Sequence, residues 1–477
     1  MIINKKEILN YIIMFALMIG IGLLPPISII TPLGMKVLGV FIGVIYGWIM
    51  IDSITVSMIG FIALALTGYK PLMQIFISAF TNTTVITVFI SVIFAGAIAK
   101  TNCIDIIAKY LLTSNMAKKE PWGLVLIIFL LAALGHVCQM MLVTVFLLWS
   151  LTLKLADQCG YERNSMFITY MITMISVIAV STGLMFPWKP VVLAFTNFWE
   201  QGMYQVFPYA KHMLIVFIYL ILFIFSIIFM GKYILKMDIS KFKLNEKIIK
   251  EYETMKIEPI QKFGLISILL FAVIMFIGSL LPPGSFMYVW FNKFGLIGIT
   301  IIFLFFLSLL RNEKNEKLID IEDSHKSIPW SVIWLLLFII PLCEAMQSAG
   351  CGIIPALGQI LIPIFGEMNI TIFMIIALIL IGTLTQIFNN IALAAVFLPV
   401  FYAICSTLNG NTYVFFIMLL LVLNCDATTP AGSTSGAMVH GHSEVNKKYV
   451  YLFGLLASLI TLILSILIVF PLGNLII

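Results

Sequence analysis

Charge is what this chain has least of. Only 10% of its 477 residues are Asp, Glu, Lys or Arg, whereas 62% are hydrophobic and the mean hydropathy is +1.14. Soluble domains carry about 25% charged residues, so that balance excludes an ordinary soluble fold. Runs of about 18 or more mostly apolar residues recur along the whole length, which is the signature of membrane-spanning helices. A disulfide or zinc framework is also missing. The seven cysteines (Cys103, Cys138, Cys159, Cys343, Cys351, Cys405 and Cys425) lie in or beside apolar segments without zinc-type spacing, and read as reduced, helix-packing thiols. Catalytic motifs are missing as well. No Gly-x-Ser-x-Gly, His-Glu-x-x-His or paired Asp motif falls in the apolar segments. The histidines (His136, His212, His325, His440 and His442) are scattered. These absences argue against an intramembrane enzyme. The net charge of +6 is no nucleic-acid signal, because the basic residues sit in a few loops, as orientation signals do. The opening "MIINKKEILNYIIMFALMIGIGLLPP" places Lys5 and Lys6 ahead of an apolar run, yet no small-residue cleavage site follows. A retained first helix is expected.

The apolar pattern predicts helices near 8–24, 34–51, 54–68, 84–100, 121–135, 140–156, 164–182, 212–231, 263–281, 286–309, 330–347, 370–388, 391–407, 412–428 and 449–475. The pairs 121–135/140–156 and 370–388/391–407 are short for a bilayer about 30 Å thick, and a short polar break splits each. Each reads as a hairpin that enters the membrane and returns to the same side. Lysine clusters at 100–119, 232–262 and 311–326, and before the last helix, whereas the loops at 25–33, 198–210, 281–285 and 408–411 have no basic residue. With both hairpins re-entrant, every basic loop falls on the side of the N-terminus, which is therefore cytoplasmic, and the C-terminus lies outside.

An internal repeat is visible. "TTVITVFISVIFAGAIAKTNC" (83–103) parallels "SVIWLLLFIIPLCEAMQSAGC" (331–351), and each leads to a split apolar pair and then a helix broken by Gly and Pro. The predicted fold is an all-α polytopic membrane protein with two inverted-topology repeats, each holding a re-entrant hairpin and a broken transmembrane helix. The first half covers 1–231, with hairpin 121–156 and broken helix 164–197. A basic cytoplasmic linker covers 232–262. The second half covers 263–477, with hairpin 370–407, broken helix 412–440 and last helix 449–475.

The chemistry concentrates at the breaks. The tip "QIFNNIA" (386–392) carries Asn389 and Asn390, and the segment "DATTPAGSTSGAMVHG" (426–441) packs hydroxyls around Pro430, Gly432 and Gly436. Irregular backbone at membrane depth is tolerated where it lines a cavity or is buried in protein. Asn389, Asn390, Ser433 and Thr434 are the expected substrate contacts here. Thr429, Pro430 and Ser433 are the expected sodium ligands. A kink whose hydroxyls bond back to its own helix is the plainer reading of such a segment. Asp426, the ionisable group beside the break, is the candidate for a proton or cation role. Glu344 reads as a buried helix partner. In the first half, "LGHVCQMML" (134–142) offers His136, Cys138 and Gln139, and "VSTGLMFPWKPVV" (180–192) sets Lys189 between Pro187 and Pro190. Gln139 and Lys189 complete the expected substrate set. An intramembrane Lys is a functional hypothesis by default, against the alternative of a side chain snorkelling at a helix end.

The order of these features, with "NNIALAAVFLP…TPAGSTSGAMVHG" as its best local piece, resembles the divalent anion/sodium symporter family of the ion transporter superfamily. That family carries a Ser-Asn-Thr tip in each hairpin and a Thr-Pro-Pro-Asn-like run in each broken helix. Here Asn389, Asn390 and Ile391 occupy the second tip, and Ser433, Thr434, Ser435 and Gly436 the second break. Cys138, Gln139 and Met140 stand at the first tip, and Lys189 departs from the family pattern. The resemblance implies a homodimeric elevator transporter in the cell membrane that moves a small anion, a di- or tricarboxylate or an inorganic oxyanion. It implies sodium as coupling ion, no other cofactor and no nucleic-acid partner. The alternative within the superfamily is a proton-driven antiporter or metalloid exporter.

Overall fold

The computed structural model describes residues 5–138, 140–186, 189–203, 207–244, 246–281, 285–311, 317, 328, 330–365, 368–388, 390–430 and 433–476. Helices dominate it. Among the described residues the only β pairing is an isolated bridge between Arg311 and Lys317. Among the described residues, four helices are long and apolar enough to cross a bilayer: Met166–Gly183, Tyr209–Ile234, Pro259–Gly278 and Lys447–Ile476. Shorter apolar helices surround them. Apolar side chains such as Phe217, Ile221 and Phe225, and Ile266, Leu269 and Val273, are exposed in rows on the outside of two of these helices. Rows of that kind need lipid or a partner against them. The architecture is consistent with a polytopic membrane protein.

Two helices are buried on nearly every side. Residues 413–423 of Thr412–Leu423 are all buried, as is almost all of Met166–Gly183. A helix apolar all round belongs in a core, and these two form it. Met166–Gly183 starts at Ser165, whose hydroxyl caps the Ile168 amide, and packs against Pro121–Val137 and Met141–Cys159. Thr412–Leu423 starts at Asn411, which caps Tyr413 and Val414, and packs against Ile370–Leu384 and Asn390–Thr407. Each core helix thus carries its own helix pair. The continuations cross over. Pro190–Met203 lies against Asn390–Thr407 and touches Thr412–Leu423, while Thr434–Gly441 lies against Met166–Gly183.

The structure also contains helices that the apolar pattern does not resolve. Leu72–Phe80, Ile104–Leu112, Asn115–Lys119, Glu246–Thr254 and Ile353–Phe365 are short, and several of them are amphipathic or polar. The predicted helix 412–428 stops at Leu423. Asn424 turns its amide back onto the Leu420 carbonyl at 2.8 Å, and helix resumes only at Thr434 under a Ser433 cap. The last helix runs from Lys447 through a π-helical stretch, Ser465–Val469, to Ile476.

The basic loops gather at one end. Lys118 pairs with Glu253 at 2.7 Å, and Lys109 donates to the Met255 carbonyl at 2.7 Å. Tyr161 donates to Asp238, and Arg163 holds Asp157 at 2.7 Å and Glu444 at 3.3 Å. The guanidinium keeps the Asp157 carboxyl below its usual range. Segments 100–119, 157–165, 236–258 and 442–448 are therefore neighbours. Elsewhere Thr31 bonds Cys351, and Tyr413 donates to Pro208. Those contacts join loops that lack basic residues. Of segment 311–326, only Arg311 and Lys317 are among the described residues.

Candidate functional site

The second helix pair turns after Leu384, and residues 385–388 are fastened to the break that follows Leu423. Thr385 donates its hydroxyl to the Leu423 carbonyl at 2.6 Å. The Gln386 amide donates to the Cys425 carbonyl at 2.9 Å, its side-chain oxygen receives the Thr428 amide at 3.2 Å, and its backbone carbonyl receives the Thr429 hydroxyl. Ser458, on the last helix, adds a bond to Cys425 at 2.9 Å. Backbone groups freed by the break are thus satisfied by the turn, which is how irregular backbone survives away from water.

Asn390 lies at the centre of this clasp. One amide proton goes to the Asp426 carboxylate at 2.7 Å and the other to Asn424 at 3.2 Å, while the Asn390 oxygen lies 3.0 Å from the Thr385 hydroxyl. Asp426 is 2% exposed. Among the described residues no Lys, Arg or His pairs with it. A buried carboxylate held only by neutral groups calls for a positive charge or a proton. Losing a hydrogen bond to a charged group costs about 1.5–3 kcal/mol, so Asn390→Ala is expected to weaken ligand binding roughly tenfold to a hundredfold. Wild-type affinity in a folded variant would reduce Asn390 to a cap.

Beside Asp426 the break folds its oxygens inward. Ser433 caps Thr434–Gly441 by accepting the Gly436 amide at 3.0 Å and lies 3.0 Å from the Ser435 hydroxyl. A Cβ added at Gly436 would lie 2.6 Å from the Thr429 carbonyl oxygen, 3.3 Å from that of Asp426 and 3.4 Å from the Ser433 hydroxyl. Three oxygens therefore close on Gly436, the nearest too near for any side chain there. The Thr428 hydroxyl is buried close by without a partner. All-oxygen donor sets of this kind suit a hard cation. Gly454 lets the last helix approach, since a Cβ there would fall 2.5 Å from the Thr428 Cα. Pro430 is exposed. Thr434 is the first residue of its helix, and its side chain lies outside the described residues, as do Asn389 and Gln139.

The first pair turns between Val137 and Met141, and the helix after it ends at Gly183, with Pro190 opening the next. Pro190 opens the following helix, where a missing amide proton costs nothing. Lys189, just before it, donates its ammonium to the His136 carbonyl at 3.2 Å. His136 Nδ1–H donates to the Ala179 carbonyl, and its ring fills the space beside Gly183, where a Cβ would come within 2.4 Å. His212, fully buried, donates Nε2–H to the Leu184 carbonyl at 2.8 Å. Of the other residues of interest, His440 bonds into the second break, and the rest serve elsewhere. His440 donates to Thr428 at 3.0 Å, His442 packs edge-on to Trp149, and Glu344 lies 3.7 Å from Lys70.

Sequence reading named Asn390, Asp426, Thr429, Ser433 and Lys189. It did not name Thr385, Gln386, Asn424, Ser458 or His212 as part of the site. Gln386 stands in the quoted tip and was the legible one, as a third amide beside the asparagines.

Comparison with known proteins adds two findings. A stretch of 169 residues is 27% identical to the sodium-dependent dicarboxylate transporter SdcS of Staphylococcus saprophyticus. It spans 35% of this chain and 32% of that relative, so the match covers about a third of the relative's length. The family model described as citrate transporter matches residues 44–419. That range holds both helix pairs and the first break and ends before the second. With most of its length matched, the chain belongs to the citrate transporter family.

Proposed function

We propose that this protein is a secondary active transporter that carries a small carboxylate anion, a di- or tricarboxylate, across the cell membrane with sodium as the coupling ion. The observation that carries the reading is the clasp: a carboxylate, Asp426, held under the tip amide of Asn390, with the Thr429 and Asp426 carbonyls and the Ser433 hydroxyl gathered around Gly436 beside it. The relative's sodium dependence and dicarboxylate substrate, as its name gives them, support the same choice.

The clasp supplies a reason for coupling. A buried carboxylate repels an anionic substrate that approaches the same tip. At about 4 Å and an effective dielectric near 20, the repulsion is on the order of 4 kcal/mol. Sodium held by the Thr429 carbonyl, the Ser433 hydroxyl and the Asp426 backbone oxygen would cancel it. Cation binding then precedes anion binding, and neither crosses alone. Ser433 and Thr434 at the helix start, with Asn389 and Asn390 at the tip, form the second-half substrate contacts. Gln139 and Lys189 form those of the first half. Helix N-termini of this kind suit anionic groups.

Two inverted repeats moving as an elevator, in a homodimer, complete the proposal. The crossing of each broken helix onto the other half supports it. Gathering of the basic loops at one end supports a cytoplasmic N-terminus and linker, with the C-terminus outside. A cysteine placed at Lys247 in a Cys-free background is expected to react only with permeant maleimide in right-side-out vesicles. Reaction with an impermeant reagent would invert the topology.

The deciding experiment is uptake of citrate, dicarboxylates, sulfate and phosphate into proteoliposomes with and without a sodium gradient. Saturable carboxylate uptake that collapses without sodium is expected. Within it, Gly436→Ala is expected to raise the sodium concentration for half-maximal uptake at least about tenfold, since a methyl group there would push the Thr429 carbonyl oxygen aside. Thermal melting of the variant is measured alongside, because a Cβ 2.6 Å from a backbone oxygen also strains the break. Ser433→Ala should move sodium dependence the same way. Uptake indifferent to sodium would make Asp426 a proton carrier instead.

A further inference from the structure

An apolar groove of about 430 Å³ lies away from the proposed transport site. Its floor is Lys36 and Val40 of the helix Pro32–Met50. One wall is Phe15 and Ile19 of Lys5–Gly22; the other is Ile62 and Leu66 of Ser53–Leu66. Both wall helices pack on the floor helix. The second wall is pinned near its start, where a Cβ at Gly47 would fall 2.7 Å from a Val56 methyl, and the groove lies beyond that contact. From Phe15 to Gly22 the first wall rises about 10 Å at 1.5 Å per residue, the greater part of the roughly 15 Å that one leaflet contributes to a hydrocarbon core. All four wall side chains are exposed, so the groove opens sideways into lipid. Lys36 is the one charged residue among the described ones that line it. It is exposed, and among the described residues it has no ion pair. It stands at the groove's end: a Cβ at Gly22, the last residue of its helix, would lie 3.2 Å from the Lys36 Cα.

We propose that this groove is a binding site for an anionic phospholipid, which lays one acyl chain between the two walls and sets its phosphate on the Lys36 ammonium. A lysine stem lies along apolar surface while its head reaches the headgroup level, so one side chain serves both parts of the lipid. Charge selects this occupant. A neutral chain would fill the groove and leave the ammonium unused. A second copy of the protein fits worse. A two-fold contact brings the same patch together from both sides, so a groove would face a groove and Lys36 would face Lys36. That arrangement leaves a void between the floors and opposes two like charges where screening is weak. A phospholipid is complementary in shape and in charge at once. The site depends on neither the substrate nor the coupling ion. Its leaflet rests on the topology proposed above, which puts the Gly22 end of the groove outside.

The test uses the full-length protein in phosphatidylcholine nanodiscs doped with phosphatidylglycerol that carries a diazirine near the end of one acyl chain. Irradiation is expected to label peptides covering 15–22 and 59–66 ahead of the exposed faces at Phe217 and Leu269. Unlabelled phosphatidylglycerol should compete at about fivefold lower concentration than phosphatidylcholine, the scale of one lysine at a membrane surface. Lys36→Gln should erase that difference. Lys211→Gln, at an exposed lysine near the start of Tyr209–Phe229, should keep it. Labelling spread evenly over all exposed apolar faces would reduce the groove to bulk lipid contact and overturn the site. Competition blind to headgroup in wild type, or a preference that survives Lys36→Gln, would overturn the phosphate contact. Ile62→Cys, oxidised in the membrane, tests the other occupant: an interchain disulfide absent from unmodified wild type would give the groove to a second copy. The native chain serves as background, because its cysteines are buried except Cys159. None of these readouts needs anion uptake, so a protein that moves no anion sinks the transport reading and leaves the lipid site standing. Inverted topology would move the site to the other leaflet with its residues unchanged.

Discussion

Asp426→Asn is expected to abolish sodium-driven uptake while leaving the folded clasp in place. Asparagine has nearly the same shape and can still accept from Asn390, so the tip keeps its anchor. What disappears is the negative charge that makes a cation necessary. Removing one partner of a buried charge interaction costs about 2–5 kcal/mol, a loss of cation affinity of roughly 30-fold to several thousandfold. The anion no longer meets a repelling carboxylate in the empty site. Substrate binding should therefore lose its dependence on sodium, and exchange across the membrane should run without a gradient to drive it. Calorimetric titration of substrate with and without sodium, in wild type and Asp426→Asn, separates the two effects. Sodium-dependent binding that persists in the variant would remove Asp426 from the coupling. Asn390→Ala offers an internal comparison, because it loosens the carboxylate without removing its charge; it should weaken affinity yet keep the sodium dependence.

Much of this architecture is legible in the sequence because lipid imposes simple rules. Apolar runs gave the positions of the long helices, and lysine placement separated the two ends before any contact was known. The paired asparagines and the Gly/Pro/hydroxyl run also stood out, since a polar cluster in an apolar run demands partners. Those partners were not legible. Gln386 and Thr429 are 43 residues apart, and His212 and Leu184 are 28 apart. Nothing local in the chain couples them; the coupling comes from the way each core helix carries its own helix pair. Short helices such as Ile104–Leu112 and Glu246–Thr254 escaped for a related reason. Their polar faces sit at the basic end among Lys109, Lys118 and Glu253, so they lack the long apolar run that marks a span. The close approach of oxygens to Gly436 is also a three-dimensional fact. The sequence shows a glycine, and the structure shows which three oxygens press on it.

Lys189→Gln is expected to weaken substrate binding about tenfold to a hundredfold, on the same scale of about 1.5–3 kcal/mol for a lost charge-assisted bond. The reason lies in where the ammonium sits. It precedes Pro190 at the start of a helix, the end whose amides carry partial positive charge. It bonds the His136 carbonyl, at the C-terminal end of the first arm, a position that would otherwise suit a bound metal cation. We propose that the ammonium stands in for one such cation in the first half, so that one fixed charge and one exchangeable charge flank the substrate. The number of sodium ions moved per anion should then be unchanged in Lys189→Gln at saturating substrate, while substrate affinity falls. Lys189→Arg should recover affinity only in part, because a planar guanidinium cannot place its donors as a compact ammonium does. If the side chain merely snorkels to the membrane surface, glutamine would be nearly silent. Affinity measured for wild type, Lys189→Gln and Lys189→Arg at fixed sodium distinguishes the two, and equal values across the three would remove Lys189 from the site.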